Sequence, residues 1–303
     1  MLTGGGRSTG SELRRYLLAT RPYSLLNSVA RAVVGGVMAM SYYAGFRPLP
    51  VALTALVALG VAAFHASENV LNDYYDVKKG VDAPGAPATL YRLHSVYGLG
   101  LSLRQVRDLG ISLLAFGVAL VIIATVALDR PLLPLILAAG ALLLISYTGP
   151  GGLKYRGLGE LDVFVTAILM VVGSAYTVSG RLSWWEAALS VPMALLTASV
   201  VLADNLRDYE WDKAHGVRTL PVRVGKDAGK AIYAAMVLLA LALPPVMLWP
   251  WGLLVEASLP LALLSILHVA EVYNLGLRRA VRFRFYVTII FASLYAASIA
   301  LAH

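Results

Sequence analysis

The sequence predicts an all-α, polytopic membrane protein, with nine transmembrane helices around a central cavity and one domain over residues 1–303. Composition is the first ground. The chain is 59% hydrophobic and 14% charged, with a mean hydropathy of +0.73, whereas soluble domains carry about a quarter charged residues. The second is a count of nine apolar segments, each long enough to cross roughly 30 Å of hydrocarbon. The third is their connections, alternately very short and long, with the basic residues gathered on the long ones. No cysteine is present, which excludes disulfides and thiolate metal sites.

Residues 1–20 are polar and basic, with no apolar core or cleavage pattern of a signal peptide. They read as a disordered tail running into a surface helix, with Glu12, Arg14 and Arg15 at the membrane interface. The nine expected spans are 22–44, 49–75, 106–128, 131–148, 161–179, 184–208, 228–249, 252–273 and 283–302. Residues 45–48, 129–130, 180–183 and 250–251 make tight turns on one side. Residues 76–105, 149–160, 209–227 and 274–282 form longer loops on the other.

The long-loop side, with the N-terminus, collects 21 of the 25 lysines and arginines. Only Arg47, Arg130 and Arg181 fall on the short-turn side, and Arg31 lies within the first span. By the positive-inside rule the N-terminus and long loops are cytoplasmic, and an odd number of spans puts His303 outside; the expected location is the plasma membrane.

Two acidic stretches end apolar runs on that same side. Glu68 to Asp82 (ENVLNDYYDVKKGVD) closes span two, and Asp204 to Asp212 (DNLRDYEWD) closes span six. A carboxylate beside hydrocarbon is costly unless it is paired, hydrated or bound to a cation. In register, Asn69 matches Asp204, Asp73 matches Asp208, and Asp76 lies near Asp212. This suggests an internal four-helix pseudo-repeat that brings the two acidic ends together across a pseudo-twofold axis.

Residues four apart share a helix face. His65, Asn69 and Asp73 form one row, Glu68, Asn72 and Asp76 the row beside it, and Asp204, Asp208 and Asp212 a third. Like charges at this spacing call for a cation, and an all-oxygen set suits Mg²⁺ shared with substrate phosphate. A single such stretch would equally fit a solvated helix end; two matched stretches in an acid-poor chain favour metal. Lys78, Lys79, Arg92, His94, Lys154, Arg156, Arg207, Lys213, Arg218 and Arg223 surround them, as a magnesium-bridged diphosphate requires. Positive-inside loops are basic in any membrane protein, so each cation carries both readings; Arg218, Lys154 and Arg92 are preferred for substrate. No P-loop or dinucleotide fingerprint is present.

These residues resemble the UbiA superfamily of intramembrane prenyltransferases, and within it the 1,4-dihydroxy-2-naphthoate polyprenyltransferase branch of menaquinone biosynthesis. The similarity runs through TRPYSL (Thr20 to Leu25), NDYYDVKKGVD, YTGPGGLKYRGLGEL and DNLRDYEWDKAHGVRTLPVRVGK. The Tyr-Arg-Gly-Leu-Gly-Glu core of the third is the part that discriminates the naphthoate branch. The resemblance implies one prenyltransferase domain that binds Mg²⁺ and diphosphate through Asn69, Asp73, Asp76, Asp82, Asp204, Asp208 and Asp212. Of these, Asp73, Asp76, Asp208 and Asp212 would be catalytic. Substrate contacts would come from Asn72, Lys78, Lys79, Arg92, Tyr147, Lys154, Arg156 and Arg218.

The implied reaction moves a polyprenyl group from its diphosphate to an aromatic acceptor inside the bilayer, with no nucleic acid and no obligate protein partner. The acceptor alternatives are 4-hydroxybenzoate and geranylgeranylglyceryl phosphate. Readings from other classes are a cation transporter, which would place acid near the bilayer midplane, and a CDP-alcohol phosphotransferase, whose Asp-Gly-x-x-Ala-Arg element is missing. Two features depart from the family pattern. APATLYRLHSVYG stands where a Gly-Pro-x-Arg element is expected, so Arg92 carries that role loosely, and Glu68 adds a carboxylate before Asn69. Arg31, His268 and Glu271 fit a structural role slightly better than cavity lining.

Overall fold

The computed structural model describes residues 9–273 and 277–303. The expected tail at 1–8 and the start of the expected loop 274–282 lie outside these residues. The helices are α1 (Thr9–Ala19), α2 (Pro22–Ala39, continued by a π-helical turn Met40–Ala44), α3 (Pro48–Lys78), α4 (Pro87–Tyr91), α5 (Leu103–Ala127), α6 (Leu133–Thr148) and α7 (Gly159–Ser179). They continue with α8 (Trp184–Arg207), α9 (Tyr209–Ala214), α10 (Leu220–Val224), α11 (Lys226–Met247), α12 (Leu259–Val269) and α13 (Leu277–Ala302). Among the described residues there is no strand. Eight helical segments among the described residues are long and apolar enough to cross a membrane, and the chain is an integral membrane protein. The segment expected at 131–148 is the shorter apolar helix α6.

Local chemistry sets the ends. Proline stands in the first turn of α2, α3 and α6, where its missing N–H costs nothing. Ser102 with Gln105 and Ser183 with Glu186 form capping boxes at α5 and α8, each satisfying donors a helix start leaves free. The expected span at 252–273 begins as a 3₁₀ stretch, Trp251–Ser258, before α12. The last helix begins at Leu277 and takes in much of the expected final loop.

The surface helix is α1. Leu13 and Leu17 are exposed on it, while Arg15 donates to the Leu99 carbonyl at 2.6 Å and the Gly100 carbonyl at 2.5 Å. The contact pattern repeats across the two halves. Helix α2 packs on α3 and α3 on α5, as α7 packs on α8 and α8 on α11, while α2 meets α7. That is the arrangement a four-helix duplication about a pseudo-twofold axis produces. The main apolar core joins α2, α7, α8, α11 and α13, with Met38, Leu189, Met193, Phe291 and Tyr295 fully enclosed.

Candidate active site

The long-loop ends of α3 and α8 open on one polar cavity, with about 1370 Å³ of atom-free space, open solvent included. Asn72 and Asp76 line it from α3, and Asp204 and Asp208 from the end of α8. Asp212 from α9 lines it too. At Asp208 the backbone leaves the α8 helix and restarts as α9. The amide bonds Asp208 to Asp204 (3.0 Å) and Asp212 to Asp208 (2.9 Å) carry the spacing through the break, so the three carboxylates stay in one row.

Cations of the chain hold the carboxylates. The Lys154 ammonium donates to Asp76 at 2.8 Å, and the Tyr155 hydroxyl donates to the other oxygen of Asp76 at 2.5 Å. Burial works against a charged Lys154, but the adjacent Asp76 outweighs it and holds the ammonium well above its ordinary range. Arg207 grips Asp208 with Nε and an Nη, both at 2.6 Å, and reaches Asp204 at 2.7 Å. Arg284 adds a second contact to Asp204 at 2.5 Å. The Arg207 guanidinium also lies 3.9 Å from the centre of the Tyr91 ring, a cation–π contact that seats α4 over the cavity. The Trp211 indole donates to the Val81 carbonyl at 2.9 Å and ties the two acidic stretches together.

The glycines of the third motif make this possible. Gly157 has φ +69°, and a Cβ there would meet the Arg223 side chain at 2.5 Å. The resulting turn sets Lys154 and Tyr155 against Asp76. Glu160, at the start of α7, accepts from Asn205 at 2.8 Å and locks the turn to α8.

Asp73, expected as a metal and catalytic residue, is held by cations of the chain in this structure. It lies about 100° around α3 from Asn72, does not line the cavity, and is fully buried. Arg21 and Arg92 (2.7 Å) pair with it, and the Ser95 amide (3.1 Å) and hydroxyl (2.5 Å) donate to it. Four donors saturate this carboxylate. Asp73, Asp82 and His94 bring ligand atoms within 4.8 Å of one another, close enough to hold a metal ion. Asp73 itself does not line the cavity with Asp208; from the acidic stretch of α3 the cavity is lined by Glu68, Asn69, Asn72 and Asp76.

Asn69 is similarly spent. Its amide donates to the Thr20 carbonyl and Ser24 hydroxyl, and accepts from Arg21 at 3.2 Å. Arg21 itself has φ 55°, a conformation that costs of order 1 kcal/mol or more; its bonds to Asn69 and Asp73 hold it there. Asp82 lines the cavity, yet it faces His94 at 3.1 Å. His94, placed with the loop cations by the sequence, is completely buried.

The remaining expected contacts divide. Arg92, Tyr147 and Lys154 line the cavity, while Lys78, Lys79, Arg156 and Arg218 do not. Lys79 donates to the Thr148 and Gly149 carbonyls at 2.6 and 2.8 Å, capping the C-terminal end of α6. Arg156 and Arg218 are exposed. Glu271 is exposed and pairs with Lys226 and Lys230, away from the cavity. Sequence reasoning missed Arg21, Tyr91 and Arg284; the Arg-Pro pair at Arg21 was the one available signal.

In all, six carboxylates (Glu68, Asp76, Asp82, Asp204, Asp208, Asp212) face five cations (Arg21, Arg31, Arg92, Lys154, Arg207). The cavity is therefore near neutral, and an anionic diphosphate enters it favourably only with compensating cations. The Asn72 side-chain oxygen is buried with no hydrogen-bond partner, an unsatisfied hard ligand among carboxylates. Glu68, Thr166 and Met170 belong also to a second, apolar crevice between α3, α5, α6 and α7. The two spaces are neighbours that share these residues as lining.

A family model described as the UbiA prenyltransferase family matches residues 29–300. The UbiA prenyltransferase domain-containing protein 1 homolog of Drosophila melanogaster is 30% identical over 243 residues, 78% of this chain. The chain spans 65% of that relative's length. A UbiA homolog from Archaeoglobus fulgidus, solved bound to GPP and Mg²⁺, superposes with a TM-score of 0.64 at 17% identity, covering 94% of this chain and 99% of that one. A digeranylgeranylglyceryl phosphate synthase superposes with a TM-score of 0.63 at 19% identity, covering 96% and 99%.

Proposed function

We propose that this chain, which belongs to the UbiA prenyltransferase family, transfers a polyprenyl group from its diphosphate to 1,4-dihydroxy-2-naphthoate in a Mg²⁺-dependent reaction. The observation that carries this reading is the adjacency of the two spaces. A carboxylate-lined polar cavity lies next to an apolar crevice, with Glu68, Thr166 and Met170 lining both, which suits one ligand with an anionic head and a hydrocarbon tail. The A. fulgidus homolog holds GPP and Mg²⁺ in the same fold, which supports the same pairing here.

Asn72, Asp76, Asp204, Asp208 and Asp212 fit Mg²⁺ by their all-oxygen donor set and by the unpartnered Asn72 oxygen. The chemistry supplied by bound Mg²⁺ is neutralisation of the charge that develops on departing diphosphate. Lys154 and Arg207, each already poised on a carboxylate of this set, exchange those carboxylates for phosphate oxygens as the head group settles. They stabilise the leaving group as its bond to the prenyl carbon breaks. Tyr147, Tyr91, Tyr23, Trp211 and Phe285 line the cavity, so aromatic faces are available to the acceptor ring and to the allylic cation. The apolar walls below Glu68 keep water from that cation.

The acceptor assignment rests on the Tyr155 to Glu160 motif, whose turn sets Lys154 against Asp76. The long-loop face is cytoplasmic in this reading, and pyrophosphate leaves there. The test is a side-by-side assay of dihydroxynaphthoate, 4-hydroxybenzoate and geranylgeranylglyceryl phosphate with one polyprenyl diphosphate and Mg²⁺. Dihydroxynaphthoate is expected to give the highest kcat/KM. Preference for either of the other two overturns the assignment.

A further inference from the structure

The polar cavity reaches inward from its carboxylates to a group of different chemistry: Asn27 and Arg31 on α2, His65 on α3 and Thr197 on α8. The helices put this group at a common depth. His65 precedes Asn72 by seven residues, and Thr197 precedes Asp204 by seven. At the α-helical rise of about 1.5 Å per residue, both steps are roughly 10 Å. On α2, which runs the other way, Arg31 lies ten residues beyond Arg21, roughly 15 Å further in.

Arg31 and Asn27 are each only 4% exposed. A guanidinium keeps its charge in any protein setting, and a charge buried among membrane helices is costly unless it is paired. Arg31 lacks such a pair. It donates through one Nη to the Thr197 hydroxyl at 2.9 Å and through the other to the Ser28 hydroxyl at 2.7 Å. Both partners are neutral, and no carboxylate of the described residues forms an ion pair with Arg31. Glu68 lines the same cavity and compensates it only at longer range. The Arg31 Nε has no hydrogen-bond partner, and neither does the side-chain oxygen of Asn27 one turn away.

The bonds at Ser28 also fix the state of His65. The Ser28 hydroxyl accepts from Arg31, so it sends its own proton to His65 Nδ1, 2.6 Å away. His65 therefore carries its ring proton on Nε2. The inner end of the cavity thus offers one full positive charge with the N–H groups of Arg31 and His65 and the Asn27 amide. Ala167, Met170 and Val200 line it with apolar wall.

We infer that this inner group is a carboxylate-binding site that selects an aromatic acceptor bearing an ionised carboxyl group, with Arg31 as the specificity-determining residue. The inference rests on the prenyl-transfer reading and deepens it by naming the feature of the acceptor that is recognised. One guanidinium balances one negative charge, so a planar monoanion fits where a phosphate dianion keeps a charge uncompensated. The ring that carries the carboxylate lies against the apolar wall, between this site and the diphosphate end roughly 10 Å away. Dihydroxynaphthoate and 4-hydroxybenzoate carry this feature; geranylgeranylglyceryl phosphate does not.

The test reads binding apart from turnover, with the full chain in lipid nanodiscs. Equilibrium binding of 1,4-dihydroxy-2-naphthoate is compared with that of 1,4-naphthalenediol, the same ring and hydroxyls without the carboxyl group, under reducing conditions. The native chain is expected to bind the naphthoate about tenfold tighter or more, one decade of affinity. Arg31→Gln removes this preference and leaves diol binding unchanged, while Arg31→Lys retains part of it. Asn27→Leu leaves the Arg31 bonds in place and acts in the same direction, so a poorly folding Arg31→Gln does not close the test. Equal affinity of the native chain for the two ligands, or binding of neither, overturns the site. A preference that survives in Arg31→Gln, or loss of both ligands together in that variant, overturns it as well. Prenyl transfer from a polyprenyl diphosphate with Mg²⁺ is read in parallel. Product without a carboxylate preference strikes the site and leaves prenyl transfer standing. A carboxylate preference without product from any acceptor strikes the transfer reading and leaves the carboxylate site.

Discussion

The ammonium of Lys154 lies 2.8 Å from the Asp76 carboxylate, and the two residues arrive there from segments far apart in the chain. Asp76 ends the third helix; Lys154 sits on a glycine-built turn before the seventh. Their contact joins the acidic stretch to the motif that resembles the naphthoate branch. If Lys154 passes from Asp76 to the diphosphate during turnover, Lys154→Gln lowers kcat/KM by about 10²-fold, the usual cost of losing one transition-state donor. Steady-state kinetics with varied diphosphate checks this, with the loss expected mainly in kcat.

Asp73 and Asp76 differ in their surroundings: Asp76 lines the cavity and Asp73 does not. Asp73→Ala leaves Arg21 and Arg92 without their shared partner and costs about 3–5 kcal/mol, the range for breaking a buried ion pair. Thermal unfolding in detergent records it as a clear fall in Tm. Asp76→Asn also strands a buried partner, Lys154, so Tm falls as well, and the double change Asp76→Asn with Lys154→Gln, which removes both charges, recovers much of the Tm while activity stays lost.

With Asp212 among the proposed Mg²⁺ ligands, metal binding is expected to depend on pH. Burial raises its pKa to about 7; Lys154 opposes the rise and the Asp208 charge adds to it. The metal-free carboxyl is therefore protonated below about pH 7, and a proton competes with Mg²⁺ for the same oxygen. Apparent Mg²⁺ affinity is expected to weaken as pH falls from 8 to 6, roughly through that pKa. In Asp212→Asn the affinity is lower but flatter across this range. Titrating Mg²⁺ activation at several pH values gives the comparison.

Orientation is directly accessible because the chain has no cysteine. Lys213 is exposed on the long-loop side, and Leu182 is 48% exposed on a short turn. In intact cells an impermeant thiol reagent is expected to label Leu182→Cys and to spare Lys213→Cys until the membrane is opened. The reverse pattern would place the active site outside.

Hydropathy and connection length made the helical bundle legible, because membrane insertion demands long apolar runs. They also marked its acidic end. The facing of individual side chains was harder to read. Two adjacent rows on α3 carry acid, and their spacing alone does not say which meets the cavity. Arg21 and Arg92, distant in sequence, hold Asp73, while Asn69, Asn72 and Asp76 all line the cavity. Lys79 was misplaced for a related reason: beside the acidic motif a lysine reads as a phosphate ligand, yet the carbonyls of Thr148 and Gly149 capture it. The apolar crevice left no trace in the motifs, since its walls use the same residues as any membrane helix.

The central claim is a two-sided site in which α3 and α8 hold Mg²⁺ and diphosphate together. Its most direct test is Mg²⁺-dependent pyrophosphate release from geranylgeranyl diphosphate with dihydroxynaphthoate, in the native chain and in Asp76→Ala combined with Asp208→Ala. The native chain should release pyrophosphate in step with prenylated product and stop when Mg²⁺ is chelated. The double variant should fold, as judged by an unchanged elution volume, and release none. Turnover that survives in the double variant, or continues after chelation, would contradict the account.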